Sequence, residues 1–297
     1  MPGRFERKIE EASALVSNSP FATIGDAVIA SLLPQFGLSS SPWLPDALPI
    51  GHSHFGGPAD LPKGQAWPVD REGRPLALLM QINLADFARP YGHHLADALP
   101  GDGWLCLFLD MHGPGQGQVG QDASVSAFQF TGDVSGLLRL HADPSPDTPV
   151  WTTCHALTVY PADHNVGLPS LESIDCGYQE YKGSMWRRLT GRKLSDEDHD
   201  ELVFAIDDLA RTRHDVRLLG SPTLFNPDPR RHLEDPENWM LLVEFSGECP
   251  WLVGATKPSP HLDRPKIGNV DYLQYFVRKS DFQSGILDRG RFEWMLT

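Results

Sequence analysis

The run Leu78-Leu79-Met80-Gln81-Ile82 is apolar except for one glutamine, and a run of the same kind, Leu241-Leu242-Val243-Glu244-Phe245, follows 163 positions later. Short apolar runs of this length are typical of buried β-strands. Gly57 and Gly220, which stand before these runs close to prolines, are also 163 positions apart. Two features with the same spacing predict two similar units, so we expect an internal duplication.

Further strand and helix patterns surround these two runs. Apolar or alternating segments predict strands at residues 76–84, 104–110, 126–131, 137–140, 156–160, 239–245, 272–278 and 292–296. Helical spacing of apolar residues predicts helices at residues 4–16, from Thr23 to the region of Pro34, and from Ser195 to the region of His214. We therefore expect an α+β fold of mixed, mostly antiparallel sheets with a few flanking helices.

The order of these elements predicts how the chain is divided. We expect a helical segment at residues 1–38, followed by a single α+β domain at residues 39–297. Within that domain, the two related units lie at about residues 50–160 and 215–297. An insert that contains the third predicted helix joins them.

Fixed glycine, proline and tryptophan positions between Gly56 and Pro68 carry a family resemblance. This segment reads G-G-P-A-D-L-P-K-G-Q-A-W-P, and L-M-Q-I-N-L at residues 79–84 and L-P-G-D-G-W-L at residues 99–105 follow it. The three motifs in this order resemble the YwqG-like family, a domain family of unassigned function. The resemblance covers residues 55–110 specifically and residues 217–282 more weakly. It implies an α+β fold with two similar halves, and it implies no particular reaction.

Composition limits the location and the class of partner. The chain has 297 residues and a formal net charge of −14, and such a charge repels nucleic-acid phosphates and anionic lipid. We find no apolar run near the roughly 20 residues that a membrane-spanning helix needs, and residues 4–11 lack the apolar stretch of a secretion signal. We therefore expect a cytoplasmic protein without a nucleic-acid or membrane partner, and the oligomeric state stays open.

The four cysteines fit a reducing compartment. They are Cys106, Cys154, Cys176 and Cys249, and none of them forms a C-x-x-C pair. Cys106 lies within a strand-like apolar run, which is typical of a buried structural thiol. We expect four free thiols.

Gln81 and Glu244 are the first candidates for a functional site. Each is a polar residue in an otherwise apolar predicted strand, and buried polar groups require hydrogen-bond partners. One interpretation places them in a cleft with Asp110, walled by Trp67 and Tyr275. The other gives them a structural role, in which they bond to the backbone where the two units meet.

Other chemistries have weaker support in the sequence. Three short pairs are metal candidates: His52 with His54, His93 with His94, and Asp110 with His112. None of them completes a ligand set, so we expect no metal and treat these histidines as surface residues. The loop at residues 113–122 contains G-x-G-x-x-G, but no helix pattern follows it, so we expect no nucleotide cofactor.

Two functional hypotheses remain. The first is a non-enzymatic binding module that holds a protein partner through its acidic surface or through a cleft between its halves. The alternative is a hydrolase-type enzyme or a small-ligand sensor that uses Gln81, Asp110 and Glu244 in that cleft. The chain contains no G-x-S-x-G motif, so no residue is singled out as a nucleophile.

Overall fold

The computed structural model describes both strand-rich regions of the chain. The residues described are 4–18, 33–42, 48–86, 102–110, 124–142, 157–167, 216–220, 222, 230, 233–246, 272–287 and 289–295. The helices are α1 (Arg4–Ser17) and α2 (Lys279–Gln283). The strands are β1 (Leu33–Pro42), β2 (His54–Phe55), β3 (Ala59–Pro62), β4 (Ala77–Asn83), β5 (Trp104–Leu109), β6 (Val125–Phe130), β7 (Leu137–Leu140), β8 (Leu157–Gly167), β9 (Val216–Leu219), β10 (Trp239–Ser246), β11 (Tyr272–Arg278) and β12 (Arg291–Met295).

The prediction of an α+β fold with flanking helices is wrong, because the described residues form a predominantly β fold with only two α-helices. The first predicted helix is confirmed as α1. The helices predicted from Thr23 and from Ser195 lie outside the described residues. The sheet exceeds the prediction because β2, β3 and β9 span only two to four residues, and β1 is rich in Ser, Gly and Pro. Such segments lack the apolar alternation by which strands are recognised.

The eight predicted strands are confirmed. They correspond to β4, β5, β6, β7, β8, β10, β11 and β12, and all except β8 have ends within about two residues of the prediction. β8 extends to Gly167, well beyond the predicted end. Among the helices in the described part of the chain, none has the length and apolar character needed to cross a lipid bilayer.

Ten of the strands form one main sheet. Their order is β12-β11-β10-β9-β1-β8-β2-β4-β5-β6, and every neighbouring pair is antiparallel. Read outward from the central β1–β8 pair, β8 is followed by β2, β4, β5 and β6, and β1 is followed by β9, β10, β11 and β12. The first half of the sheet therefore holds β2 and β4–β6, and the second half holds β9–β12.

The two halves also share their register. The pairing of β4 with β5 shifts between Leu78 and Met80, and the pairing of β10 with β11 shifts at the positions 163 residues later. Beyond this bulge, the cross-strand neighbours of Gln81 are His54 and Cys106, and those of Glu244 are Arg217 and Gln274. The internal duplication and its domain boundaries stay predictions, and the shared order, register and bulge are consistent with them.

The two faces of the main sheet differ in character, because successive side chains of a strand point to opposite faces. One face buries a single apolar cluster that draws on both halves and includes Phe36, Phe55, Ile82, Leu107, Leu218, Phe245 and Tyr275. Burial of each such side chain contributes about 1.5–3 kcal/mol, so this cluster is the main source of stability. The opposite face, the polar face, carries a first polar row (His54, Gln81, Cys106) and a second polar row (Arg217, Glu244, Gln274).

A two-stranded sheet lies over the polar face of the first half. β3 and β7 pair antiparallel from Ala59 with Leu140 to Pro62 with Leu137, and we call this pair the small sheet. Ala59 and Leu61 pack against side chains of β5, including Cys106, in one apolar cluster. The first polar row is therefore enclosed between the main sheet and the small sheet.

Candidate functional site

Gln81 is the centre of the first polar row, and the protein itself engages its amide group. Its side chain is fully buried. The Oε1 atom accepts a hydrogen bond from the backbone N–H of Asp60 at 2.8 Å and faces the Cys106 thiol at 3.6 Å. The Nε2 atom lies 3.4 Å from both the His52 carbonyl oxygen and Asp60 Oδ2. Gln81 therefore connects β4 to the small sheet through hydrogen bonds.

A buried ion pair joins the two strands of the small sheet. Arg139 donates from Nε to Asp60 Oδ1 at 2.9 Å and from Nη2 to Oδ2 at 3.0 Å, so the contact is bidentate. The Asp60 side chain is 0% exposed and that of Arg139 is 17% exposed. Asp60 also accepts from the Gly51 N–H at 2.7 Å, and Arg139 donates to the carbonyls of Leu48 and Pro49. The pair thus holds the segment before β2 against the small sheet.

His54 lies beneath this ion pair and is fully buried. Its Nδ1 is 2.8 Å from the His52 carbonyl oxygen, and its Nε2 is 2.7 Å from the Pro58 carbonyl oxygen. A neutral imidazole has one N–H, so it donates to only one of these two acceptors. Burial lowers the pKa of His54, assisted by Arg139 and opposed by the two carbonyls and Asp60.

The second polar row contains its own ion pair. Glu244 is 5% exposed, and its Oε1 accepts from Arg217 Nη2 at 2.7 Å. Its Oε2 accepts from Gln274 Nε2 at 2.8 Å, and Arg217 Nη1 lies 3.5 Å from Gln35 Oε1. Glu293 of β12 is the cross-strand neighbour of Gln274 on the side away from Glu244. Burial raises the pKa of Glu293, and the charge of Arg291 acts in the opposite direction. The ion pair of this row lies within the main sheet, whereas the ion pair beside the first row lies in the small sheet.

Gln81 and Glu244 are not brought together. Four strands, β2, β8, β1 and β9, separate β4 from β10 in the main sheet. At about 4.8 Å between neighbouring strands, the two residues are about 24 Å apart along the sheet. They are the equivalent residues of two separate polar rows, and each has hydrogen-bond partners close to its own row.

The other three candidates occupy different places. Trp67 donates from Nε1 to the Leu76 carbonyl at 2.9 Å and packs with Cys106 in the apolar cluster beside Gln81. Asp110 follows β5, and its carboxylate is 4.0 Å from an Arg74 nitrogen. Tyr275 lies on the apolar face, opposite to Glu244, and its hydroxyl donates to the Leu287 carbonyl at 2.5 Å. The five candidates therefore do not line one cleft.

Sequence reasoning missed four residues in or beside the two rows: Asp60, Arg139, Arg217 and Gln274. It treated His54 as a surface histidine, which is wrong because the ring is fully buried. The signal that singled out Gln81 also marks Gln274 and Arg217, because each stands between apolar residues of a strand. Asp60, between Ala59 and Leu61, and Arg139, between Leu138 and Leu140, carry the same signal, but it does not show that they pair. Their pairing depends on the register of two strands whose ion-paired residues are 79 positions apart.

The geometry gives no support to a metal at the one histidine pair that is described. Both ring nitrogens of His54 face backbone carbonyls, so the ring does not present a nitrogen to an ion shared with His52. Within the described ranges, no three His, Cys, Asp or Glu side chains are grouped as metal ligands. His93, His94, His112 and the loop at residues 113–122 lie outside those ranges. Cys106 is a free, buried thiol as predicted, and burial raises its pKa.

Comparison with known proteins identifies a family without assigning an activity. No curated protein matches the chain. A family model described as a domain of unknown function, DUF1963, matches residues 53–294. That span contains both polar rows, the small sheet and most of the main sheet. The chain therefore belongs to the DUF1963 family of domains of unknown function.

Proposed function

We propose that the chain is a non-enzymatic binding module that holds a basic protein partner. The observation that carries this proposal is that four central polar side chains in and beside the two rows are engaged with other protein groups. Gln81, Asp60, His54 and Glu244 each have protein groups at hydrogen-bonding distance. A net charge of −14 then favours a partner of opposite sign, because long-range attraction accelerates encounter and selects partners.

The hydrolase and ligand-sensor alternatives have less support. A catalytic or ligand site needs polar groups that converge on one position, and Gln81 and Glu244 are about 24 Å apart along the sheet. Ser53 is next to His54, but its hydroxyl donates to Asp86 at 3.0 Å. With both His54 nitrogens on carbonyls, this serine and this histidine do not form a nucleophile–base pair.

We place the partner's contact area around Gly51, at the outer side of the small sheet. Ile50 is 41% exposed and Val134 is 45% exposed. They are neighbours in space, since a Cβ atom at Gly51 would lie 3.3 Å from the Val134 Cγ2 atom. Asp133 adds an acidic group beside them. This apolar pair beside an acidic group is complementary to a partner that presents apolar side chains next to a lysine or an arginine.

Two finer assignments belong to the same proposal. The motif between Gly56 and Pro68 supports membership of the YwqG-like group within this family. The free thiol of Cys106, together with the acidic charge of the chain, supports a cytoplasmic location.

The test begins with quantitative capture of partners from cell extract by the tagged chain. The captured partner is then purified, and its affinity is measured by calorimetry at low and high salt. We expect Ile50→Asp with Val134→Asp to weaken binding at least about tenfold, and salt to weaken binding to the wild-type chain. Val69→Asp is the matched control, since Val69 is 55% exposed and lies outside the contact area. Failure to capture a stoichiometric partner, or equal binding by the double variant, would overturn the proposal.

A further inference from the structure

β12 is the outermost strand in the second half of the main sheet, and β11 is its only neighbour among the described strands. Phe292 anchors this strand, because its side chain joins the apolar cluster and its ring centroid lies 4.7 Å from that of Tyr275. The side of β12 that faces away from β11 is therefore a fixed strand edge. The backbone groups along such an edge are a template for a further strand.

The charged side chains of β12 lie on the polar face of the sheet. Arg291 is exposed and is the cross-strand neighbour of Phe276, and Glu293 is half-buried beside Gln274. In the described part of the chain, neither charge forms an ion pair with another residue. Burial raises the pKa of Glu293, so its carboxylate has lost part of its hydration and would gain from an arriving guanidinium.

A second copy of the chain offers that guanidinium through a two-fold axis. When two β12 strands pair antiparallel with Phe292 opposite Phe292, Arg291 of each copy lies opposite Glu293 of the other. The two nearest registers that use the same outward-facing backbone groups place Arg291 opposite Arg291 or Glu293 opposite Glu293. Like charges directly opposite are destabilising, so the sequence of β12 selects the register with two opposite-charge pairs.

We propose that the chain forms a two-fold dimer in which the β12 strands pair and join two main sheets into one continuous sheet. Backbone hydrogen bonds between the two strands supply the affinity, and the reciprocal pairs of Arg291 with Glu293 fix the register. Each copy has a net charge of −14, but salt screens the repulsion between distant charges beyond about 8 Å at physiological ionic strength. The contacts at the strand edge therefore decide the association.

The edge strand at the other end of the main sheet is a poorer match. β6 (Val125–Phe130) contains no charged residue, so it offers no ion-pair partner to Arg291 or Glu293. Pairing of β12 with β6 would also be head-to-tail, and such contacts generate rings or open filaments. Self-pairing of β12 satisfies both charges in a closed dimer. This inference rests on β12 alone and does not depend on the proposed basic partner.

The experiment is sedimentation equilibrium of the full chain and of two charge reversals, Arg291→Glu and Glu293→Arg, in about 0.15 M salt. We expect the wild-type chain to dimerise, and each single variant to bind itself at least about tenfold more weakly because like charges then lie opposite each other. One variant is acidic at both positions and the other is basic at both, so an equimolar mixture should form heterodimers. Arg71→Glu reverses an exposed charge in the first half and should leave dimerisation unchanged.

Several outcomes would overturn the dimer. They are a wild-type chain that stays single up to about 0.2 mM, a dimer that neither reversal weakens, and larger assemblies in place of a dimer. A mixture of the two folded variants that does not associate overturns the register on which the inference depends.

A second measurement needs no variant. Amide hydrogen exchange at residues 291–295 should slow as the concentration of the wild-type chain rises, whereas exchange at residues 125–130 of β6 should stay constant. Exchange in β12 that is independent of concentration across the range where dimers form would place the contact elsewhere and refute the proposal. Unfolding of the diluted single chain reports the burial of Glu293 alone and is separate from this test.

Discussion

The buried ion pair between Asp60 and Arg139 offers the sharpest test of how the small sheet is held. Arg139→Met keeps the length of the side chain but removes its charge. It leaves the Asp60 carboxylate, which is 0% exposed, with the Gly51 N–H and the Gln81 amide as its donors among the described residues. Removal of one partner of a buried pair costs about 3–5 kcal/mol, and we expect that cost here because the surviving charge stays enclosed.

The converse change should cost less. Asp60→Ala leaves the guanidinium of Arg139, which is 17% exposed and still donates to the carbonyls of Leu48 and Pro49. Water and these carbonyls compensate part of the lost attraction, so we expect about 2–4 kcal/mol. Replacement of both residues by apolar side chains, Asp60→Leu with Arg139→Met, should cost less than either single change, since no charge is then left buried.

Urea unfolding followed by tryptophan fluorescence measures these values. Trp104 is a suitable reporter because its Nε1 donates to the Gly51 carbonyl at 2.8 Å, next to the ion pair. Arg217→Met is the matched comparison, since its pair with Glu244 belongs to the main sheet and not to the small sheet. Single changes at Asp60 and Arg139 that each cost under about 1 kcal/mol, or a double change that costs their sum, would refute the reasoning about buried charge.

Two further predictions concern a glycine and a half-buried acid. Gly103 has φ +91° and a Cβ there would collide with the Phe130 carbonyl, so Gly103→Ala should cost about 3 kcal/mol or more in thermal unfolding. Gly64→Ala, at φ +90° in open space, should cost only about 1–2 kcal/mol, and equal losses would contradict the collision. Because burial raises the pKa of Glu293, its ionised form opposes folding above that pKa, so Glu293→Gln should raise the urea midpoint at pH 7. That gain should shrink as the pH falls from the raised pKa of Glu293 toward the usual Glu pKa of 4.5 and be lost below it, and Glu10→Gln on the exposed side of α1 should show neither effect.

The positions of strands could be predicted where burial leaves an apolar run. β4, β5, β10 and β11 are such strands, and the ends predicted for them nearly match the observed ends. The fold class was predicted wrongly because short strands are stabilised by neighbours and not by their own residues. β2 is only His54 and Phe55, and it is a strand because β4 and β8 lie on either side of it.

The candidate site, too, could be predicted from the sequence only in part. A polar residue inside an apolar strand needs a buried partner, and this local rule correctly singled out Gln81 and Glu244 as residues with internal hydrogen bonds. The identity of the partners depends on which strands pack over the polar face. Asp60 reaches Gln81 only because the small sheet folds back onto the main sheet, and no local pattern encodes that contact.

The difference between the two polar rows bears on which half of the sheet is able to change. In the second row, the carboxylate of Glu244 and the guanidinium of Arg217 are on paired main-sheet strands, so separating them requires disruption of β9–β10 pairing. In the first row, the equivalent positions hold Gln81 and His54, and the ion pair comes from the small sheet. Opening the small sheet leaves the main-sheet ladder intact and breaks only side-chain contacts, turn contacts and one apolar cluster. The first half is therefore the half in which the covering layer can separate from the main sheet without loss of main-sheet strand pairing.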